Sequence, residues 1–249
     1  MEKEAIIFLH GMIGNQHAFK REIDRLEEQY HCIAYDYYDP ADLESKEPLV
    51  LDFFIEQLYR QFRKANIEKA HLCSLSYGCI VAAAFTERYP DMVISLTFVG
   101  GYCCQAPSQF YTNVVTLLEE KSLFEYNVWV KRCARLLNPN KEHIPEDSES
   151  IFIKYTLQLD PVLFETALRV HLDFDSRTVL SKIRVPILWV MGEYDDLYKA
   201  TLPDLKTLNP YIEYAEIMGA GHVAHVHQHE QFLSVFHKYL QGMSLQVIA

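Results

Sequence analysis

Cys73-Ser74-Leu75-Ser76-Tyr77-Gly78-Cys79 is the stretch on which the fold turns. An apolar run over 69–75 leads into it and reads as a buried strand. A helical pattern over 77–89 leaves it and stops before Pro90. So sharp a turn from strand to helix strains the backbone of its central residue. Only small side chains two positions before and two after that residue avoid a clash. Ser74 and Gly78 meet this requirement. The strain holds the Ser76 hydroxyl above the sheet with a helix N-terminus behind it. A serine so placed is either a nucleophile or a cap for the helix that follows.

Outward from this turn, short β-type runs alternate with helical ones. Ala5-Ile6-Ile7-Phe8-Leu9 is apolar throughout and Cys32-Ile33-Ala34-Tyr35 is a second short strand. Helical patterns cover 17–29 and about Leu49 to Lys64, the latter with Leu51, Phe54, Ile55, Leu58 and Phe62 on one face. A strand over 92–99 ends in Gly100-Gly101. The rhythm returns late, with strands at 185–191 and 211–217 and helices near 200–208 and 226–240. Strands separated by helices imply a mostly parallel sheet with helices on both faces. Ligands of such sheets bind beyond the carboxyl ends of the strands, where eight of the nine glycines fall.

The chain leaves the sheet at Gly100-Gly101 and returns at Val185-Pro186. A parallel crossover needs about a dozen residues, so most of 101–184 is surplus. Its apolar positions (Val114, Leu117, Leu118; Trp129, Cys133, Leu136; Phe152, Tyr155, Leu159) are helical in spacing, and Asn138-Pro139-Asn140 with Ile144–Asp147 divides it. The expected organisation is a core of 1–100 and 185–249 carrying a helical lid, 101–184, with a separate helical domain as the alternative.

Composition narrows the function classes. The 249 residues are 49% hydrophobic and 23% charged, values of a folded globular protein rather than a disordered one. The net charge of −11 argues against nucleic acid or an anionic membrane as partner. No apolar stretch approaches the length of a membrane span. Met1-Glu2-Lys3-Glu4 runs straight into an apolar strand, without the pattern of a secretory leader. Six irregularly spaced cysteines do not make a disulfide framework. A soluble cytoplasmic protein is the expectation.

A serine nucleophile requires a base, and the base an orienting carboxylate. One late strand runs into Gly192-Glu193-Tyr194-Asp195-Asp196 and the next into Gly219-Ala220-Gly221-His222. Serine, acid and histidine thus follow three strands in the order that the Ser76 turn calls for. Donors for a developing oxyanion are supplied by His10-Gly11-Met12-Ile13-Gly14-Asn15: Gly11 lets the Met12 amide face the site, and the Tyr77 amide is the second donor.

These pieces together resemble the α/β-hydrolase-fold superfamily, and within it the small lid-bearing serine esterases and related hydrolases. The resemblance rests on His10-Gly11, Ser74-x-Ser76-x-Gly78, Gly192-x-x-Asp195 and Gly219-x-Gly221-His222, and covers nearly the whole chain except the insertion. It implies Ser76 as nucleophile, His222 as base, Asp195 rather than its neighbour Asp196 as orienting acid, and backbone donors at Met12 and Tyr77. Two departures stand out. The chain opens almost on the strand that is third in the family, so the leading hairpin is expected to be missing or trimmed. The family's Gly-rich loop after the following strand is replaced by Asp36-Tyr37-Tyr38-Asp39-Pro40.

The implied reaction is hydrolysis of a small or medium carboxylic ester or thioester through an acyl-enzyme. The same residues could serve acyl transfer, carbon–carbon bond hydrolysis or elimination, and a non-catalytic receptor is the third class. No cofactor is expected, since no Gly-rich nucleotide motif occurs. His222-x-x-His225-x-His227-x-His229 invites a metal, but its spacing suits solvated or core histidines better. Cys73, Cys79, Cys103 and Cys104 read as packing residues. Arg132, Arg135 and Arg169 would favour a polyanionic substrate if they clustered, and otherwise belong to the surface.

Overall fold

The computed structural model describes residues 3–39 and 50–246; expectations touching Met1, Glu2, Pro40 and Leu49 lie outside the described residues. Six strands form one sheet: β1 (Ala5–Leu9), β2 (His31–Ala34), β3 (Ala70–Leu75), β4 (Val93–Val99), β5 (Ile187–Gly192) and β6 (Ile212–Ile217). Their order is β2-β1-β3-β4-β5-β6, and every pairing is parallel. The unbroken apolar run of β1 follows from burial on both faces. Ala5, Ile7 and Leu9 enter one apolar cluster, while Ile6 and Phe8 enter another on the opposite face. β6 lies at an edge and carries the exposed Glu213, Tyr214 and Glu216.

The helices that flank the first four strands are α1 (Lys20–Leu26), α2 (Leu51–Lys64) and α3 (Tyr77–Arg88). α2 is amphipathic and buries Phe54, Ile55, Leu58 and Phe62. α3, in contrast, is apolar or small on every side, and ten of its twelve residues are buried. That burial anchors the helix that follows Ser76.

Between β4 and β5 stand α4 (Gln109–Glu120), α5 (Tyr126–Leu137), α6 (Ser148–Thr156), α7 (Pro161–Asp173) and α8 (Ser176–Lys182). The gap at 138–147 is the divider read from sequence. Ser108, Asp147, Asp160 and Asp175 each accept a hydrogen bond from a first-turn amide, which sets where α4, α6, α7 and α8 begin. The inserted helices share a core with the sheet: Val114, Leu117, Trp129, Val130 and Phe164 belong to the same apolar cluster as Ile7 and Leu9. The buried Trp129 indole is satisfied by donating to the Leu117 carbonyl at 2.7 Å.

Two late helices differ from expectation. Of the helix read near 200–208 only α10 (Leu205–Leu208) forms, and a separate short helix, α9 (Asp196–Lys199), precedes it. Pro203 cannot donate within a helix and pushes its predecessor away from helical backbone, and Asp204 restarts the helix by capping Lys206 and Thr207. The helix read over 226–240 is likewise two, α11 (Ala224–His227) and α12 (His229–Gln246), parted at Gln228. No helix among the described residues is long and apolar enough to cross a membrane.

Candidate active site

From β1 the chain moves to β2 on one side, and all later strands lie on the other. The loops after β1 and β3 therefore part at a crevice above the sheet, where open α/β sheets bind ligands. Ser76 stands there with φ 51° and ψ −113°, a strained conformation for a residue with a Cβ. Its amide donates to the Val99 carbonyl at 2.8 Å, which ties the turn to β4. Gly78 is needed for close approach: a Cβ there would stand 2.7 Å from the carbonyl oxygens of Leu9 and His10. Ser74 is buried and donates to the Thr97 carbonyl at 3.0 Å.

Ser76 Oγ lies 2.9 Å from His222 Nε2, and His222 Nδ1 lies 2.9 Å from Asp195 Oδ2. A carboxylate only accepts, so Nδ1 carries the ring proton and Nε2 keeps its lone pair for the Ser76 hydroxyl. Asp195 is 4% exposed, whereas its neighbour Asp196 faces solvent and pairs with Lys141. Two glycines let these loops meet. A Cβ on Gly192 would lie 2.2 Å from the Gly221 carbonyl oxygen. At Gly100, where φ is +60°, a Cβ would stand 2.8 Å from the His222 carbonyl oxygen and 2.9 Å from its ring.

The loop after β1 presents the Met12 amide. Gly11 and Met12 share one planar trans peptide, so its C=O and N–H point in opposite directions. The Gly11 carbonyl accepts from His10 Nδ1 at 2.7 Å and from the Gly14 amide at 3.0 Å. With the carbonyl held on that side, the Met12 N–H is turned the other way. Tyr38 adds a second restraint by donating its hydroxyl to the Met12 carbonyl at 2.7 Å. Neither the Met12 nor the Tyr77 amide has an acceptor among the described residues. The Asp36-Tyr37-Tyr38 stretch thus holds this loop: the Tyr37 amide also donates to His10 Nε2 at 3.0 Å.

Ser76, His222 and Met12 line one cavity of about 540 Å³. Its far wall comes from the inserted helices through Phe110, Ile151, Phe152, Tyr155 and His171. Trp129 is buried within the insertion, and Phe124 is partly exposed beneath Arg132. Arg132, Arg135 and Arg169 pair with Glu120, Glu149 and Glu165, and none lines the cavity. The histidine run is dispersed: His225 stacks on Phe19, His227 meets Glu146, and His229 meets Glu22. Burial pushes the Cys103 and Cys104 thiols up to about 12, so neither is a thiolate at neutral pH.

Sequence reasoning does not find Tyr198, whose ring stacks on His222 with centroids 3.8 Å apart. Nor does it find His171, which lines the cavity from α7. Neither sits in a spacing that marks it.

The Alpha/beta hydrolase family model matches residues 6–235. Lipase 3 of Moraxella sp. (strain TA144) is 22% identical over 232 residues, covering 88% of this chain and 72% of that protein. Proline iminopeptidase of Heyndrickxia coagulans is 22% identical over 267 residues, covering 96% and 91%. Among solved structures, a hydrolase from Oleispira antarctica superposes with a TM-score of 0.80 at 17% identity, over 97% of this chain and 92% of that one. With a match that spans nearly the whole sheet and insertion, the chain belongs to the alpha/beta hydrolase family.

Proposed function

We propose that this hydrolase cleaves small or medium carboxylic esters or thioesters through an acyl-enzyme on Ser76. The observation that carries the reading is the unbroken chain of hydrogen bonds from Ser76 through His222 to the buried Asp195, opening onto a cavity. His222 Nε2 takes the hydroxyl proton as Ser76 Oγ attacks the carbonyl carbon. Asp195 keeps the ring in the required tautomer and stabilises the imidazolium. The oxyanion of the tetrahedral intermediate accepts from the Met12 and Tyr77 amides, neither of which has an acceptor among the described residues to give up. As that intermediate collapses, His222 returns the proton to the leaving alcohol or thiol. A water activated by the same nitrogen then attacks the acyl-enzyme and releases the acid.

Residues 101–184 act as a lid in this reading, and 1–100 with 185–249 as the core. The mostly apolar wall that the insertion lends the cavity supports this, since it is poorly hydrated surface that would shape an acyl site. The lipase relative supports an ester bond, and six free thiols support a reducing, cytoplasmic compartment. The test is a p-nitrophenyl ester series from acetate to palmitate, with fluorophosphonate labelling of Ser76. Turnover should peak at short to medium chains. Absence of both labelling and turnover would remove the reading, and a prolyl arylamide cleaved faster than every ester would move it to peptide bonds.

A further inference from the structure

Charge is distributed one-sidedly around the cavity. Among the described residues that line it there is no lysine or arginine, and one carboxylate, Glu146. Asp195 is hidden behind His222 and does not contribute to the lining. His171 and His225 are held neutral by burial, which lowers them to about 4 and about 3, and His17 stands at the exposed rim.

Glu146 comes from the 138–147 segment between α5 and α6, and its side chain is 23% exposed. Its partner is His227, with Glu146 Oε2 at 2.6 Å from Nε2. The state of that histidine follows from its other nitrogen, which accepts from the Gly221 amide at 3.0 Å. An atom that accepts from an N–H holds a lone pair, so the ring proton sits on Nε2 and is donated to Glu146. A neutral imidazole gives the carboxylate a hydrogen bond without cancelling its charge. No lysine or arginine among the described residues forms an ion pair with Glu146.

A second acceptor stands on the α7 side of the cavity. His171 Nδ1 lies 2.6 Å from the Ala167 carbonyl and must donate to it. The neutral ring therefore has its lone pair on Nε2, which no described residue uses. The lid side of the cavity thus offers a carboxylate and an imidazole lone pair, with no fixed cation to balance them.

We infer that Glu146 is a specificity-determining residue, and that the site takes uncharged or ammonium-bearing esters and rejects esters carrying a carboxylate. This rests on the Ser76 reading above. A carboxylate brought into this mostly apolar cavity would give up part of its water, meet no lysine or arginine and face Glu146. An ammonium group, quaternary ones included, would find an uncompensated carboxylate held in place, an attraction that needs no N–H.

The test uses three p-nitrophenyl esters of matched shape: 4-(trimethylammonio)butyrate, its carbon isostere 5,5-dimethylhexanoate, and monoglutarate. The expected order of kcat/KM places the cation at or above the neutral ester, and the anion about tenfold or more below it. Glu146→Gln keeps an acceptor for His227 and should narrow the gap between anion and neutral ester by about threefold or more, leaving the part that comes from lost water and the missing cation. A wild-type enzyme that hydrolyses the glutarate ester within twofold of the neutral one would overturn the inference, whether or not the variant folds. So would an unchanged ratio in folded Glu146→Gln. Failure on all three esters, together with no fluorophosphonate labelling of Ser76, would instead take down the Ser76 reading and this inference with it.

Discussion

The loops above the sheet and the helices that cover them are built on different terms. Ser76, Gly78, Gly100 and Gly192 stand where backbone approaches backbone, and at each of the three glycines a Cβ would come within 2.9 Å of a neighbouring atom. The inserted helices hold together by apolar faces and ordinary aspartate and serine caps, which many sequences satisfy. The difference teaches where to look for each kind of function. In the proposed reading, bond-making geometry belongs to the loops above the sheet and the wall that chooses among substrates to the more permissive insertion.

Replacing Ser76, the proposed nucleophile, tests that division most severely. Ser76→Ala should lower kcat/KM by about 10⁴-fold or more while leaving the fold intact, because the side chain points into a cavity. Ser76→Gly should be as inactive yet more stable by about 1 kcal/mol, since glycine adopts φ 51° without strain. Activity in Ser76→Ala above a few per cent of wild type would break the comparison outright. A Ser76→Gly chain no more stable than Ser76→Ala would show that the turn is unstrained.

Acid should separate the two regions next. His171 belongs to the insertion, and burial lowers it from 6.5 to about 4. Its neutral form is the folded one, so between these values the unfolded chain binds the extra proton. Stability is therefore retained above pH 6.5 and lost as pH falls toward 4, by roughly 3 kcal/mol from this group. His225, on the core side, acts in the same direction. Urea denaturation at pH 7 and pH 4.5 should show His171→Gln losing about 2 kcal/mol less than wild type on acidification. An equal loss in both proteins would place the acid sensitivity outside the insertion.

How much was legible from sequence follows the same divide. The Ser76 turn and the Asp195 and His222 loops announce themselves because close backbone approach admits few residue types, and those few leave a pattern. Of the helix read near 200–208 only Leu205–Leu208 forms, because Pro203 cannot donate within a helix and bends its predecessor away from one. Tyr198, Glu146 and His171 were not legible. They reach the cavity from a helical turn, a loop and a helix distant in sequence, and contacts of that kind are set by tertiary packing rather than by spacing. Gly100 lies between: its glycine was visible, but its contact with His222 was not. Gly100→Ala should push the His222 ring out of line and lower kcat by about 100-fold. Fluorophosphonate labelling of Ser76 would slow in parallel. An alanine variant with wild-type kcat would mean that this loop yields as easily as the insertion does.

The smallest effect concerns the residue that joins the two regions. Tyr198 stacks on His222 with one face, and its hydroxyl donates to the Leu137 carbonyl, the last residue of α5, at 2.8 Å. Tyr198→Phe keeps the ring and therefore the stacking, but leaves the Leu137 carbonyl without this donor. The loss of one buried hydrogen bond costs about 1 kcal/mol, seen as a small fall in Tm. Because the ring still supports His222 while the end of α5 is freed, KM should rise by a factor of about three and kcat should hardly change. A fall in kcat with KM unchanged would show that the hydroxyl contact acts on His222 itself. The boundary between the permissive and the rigid side would then lie within the insertion, at the end of α5, rather than at Tyr198.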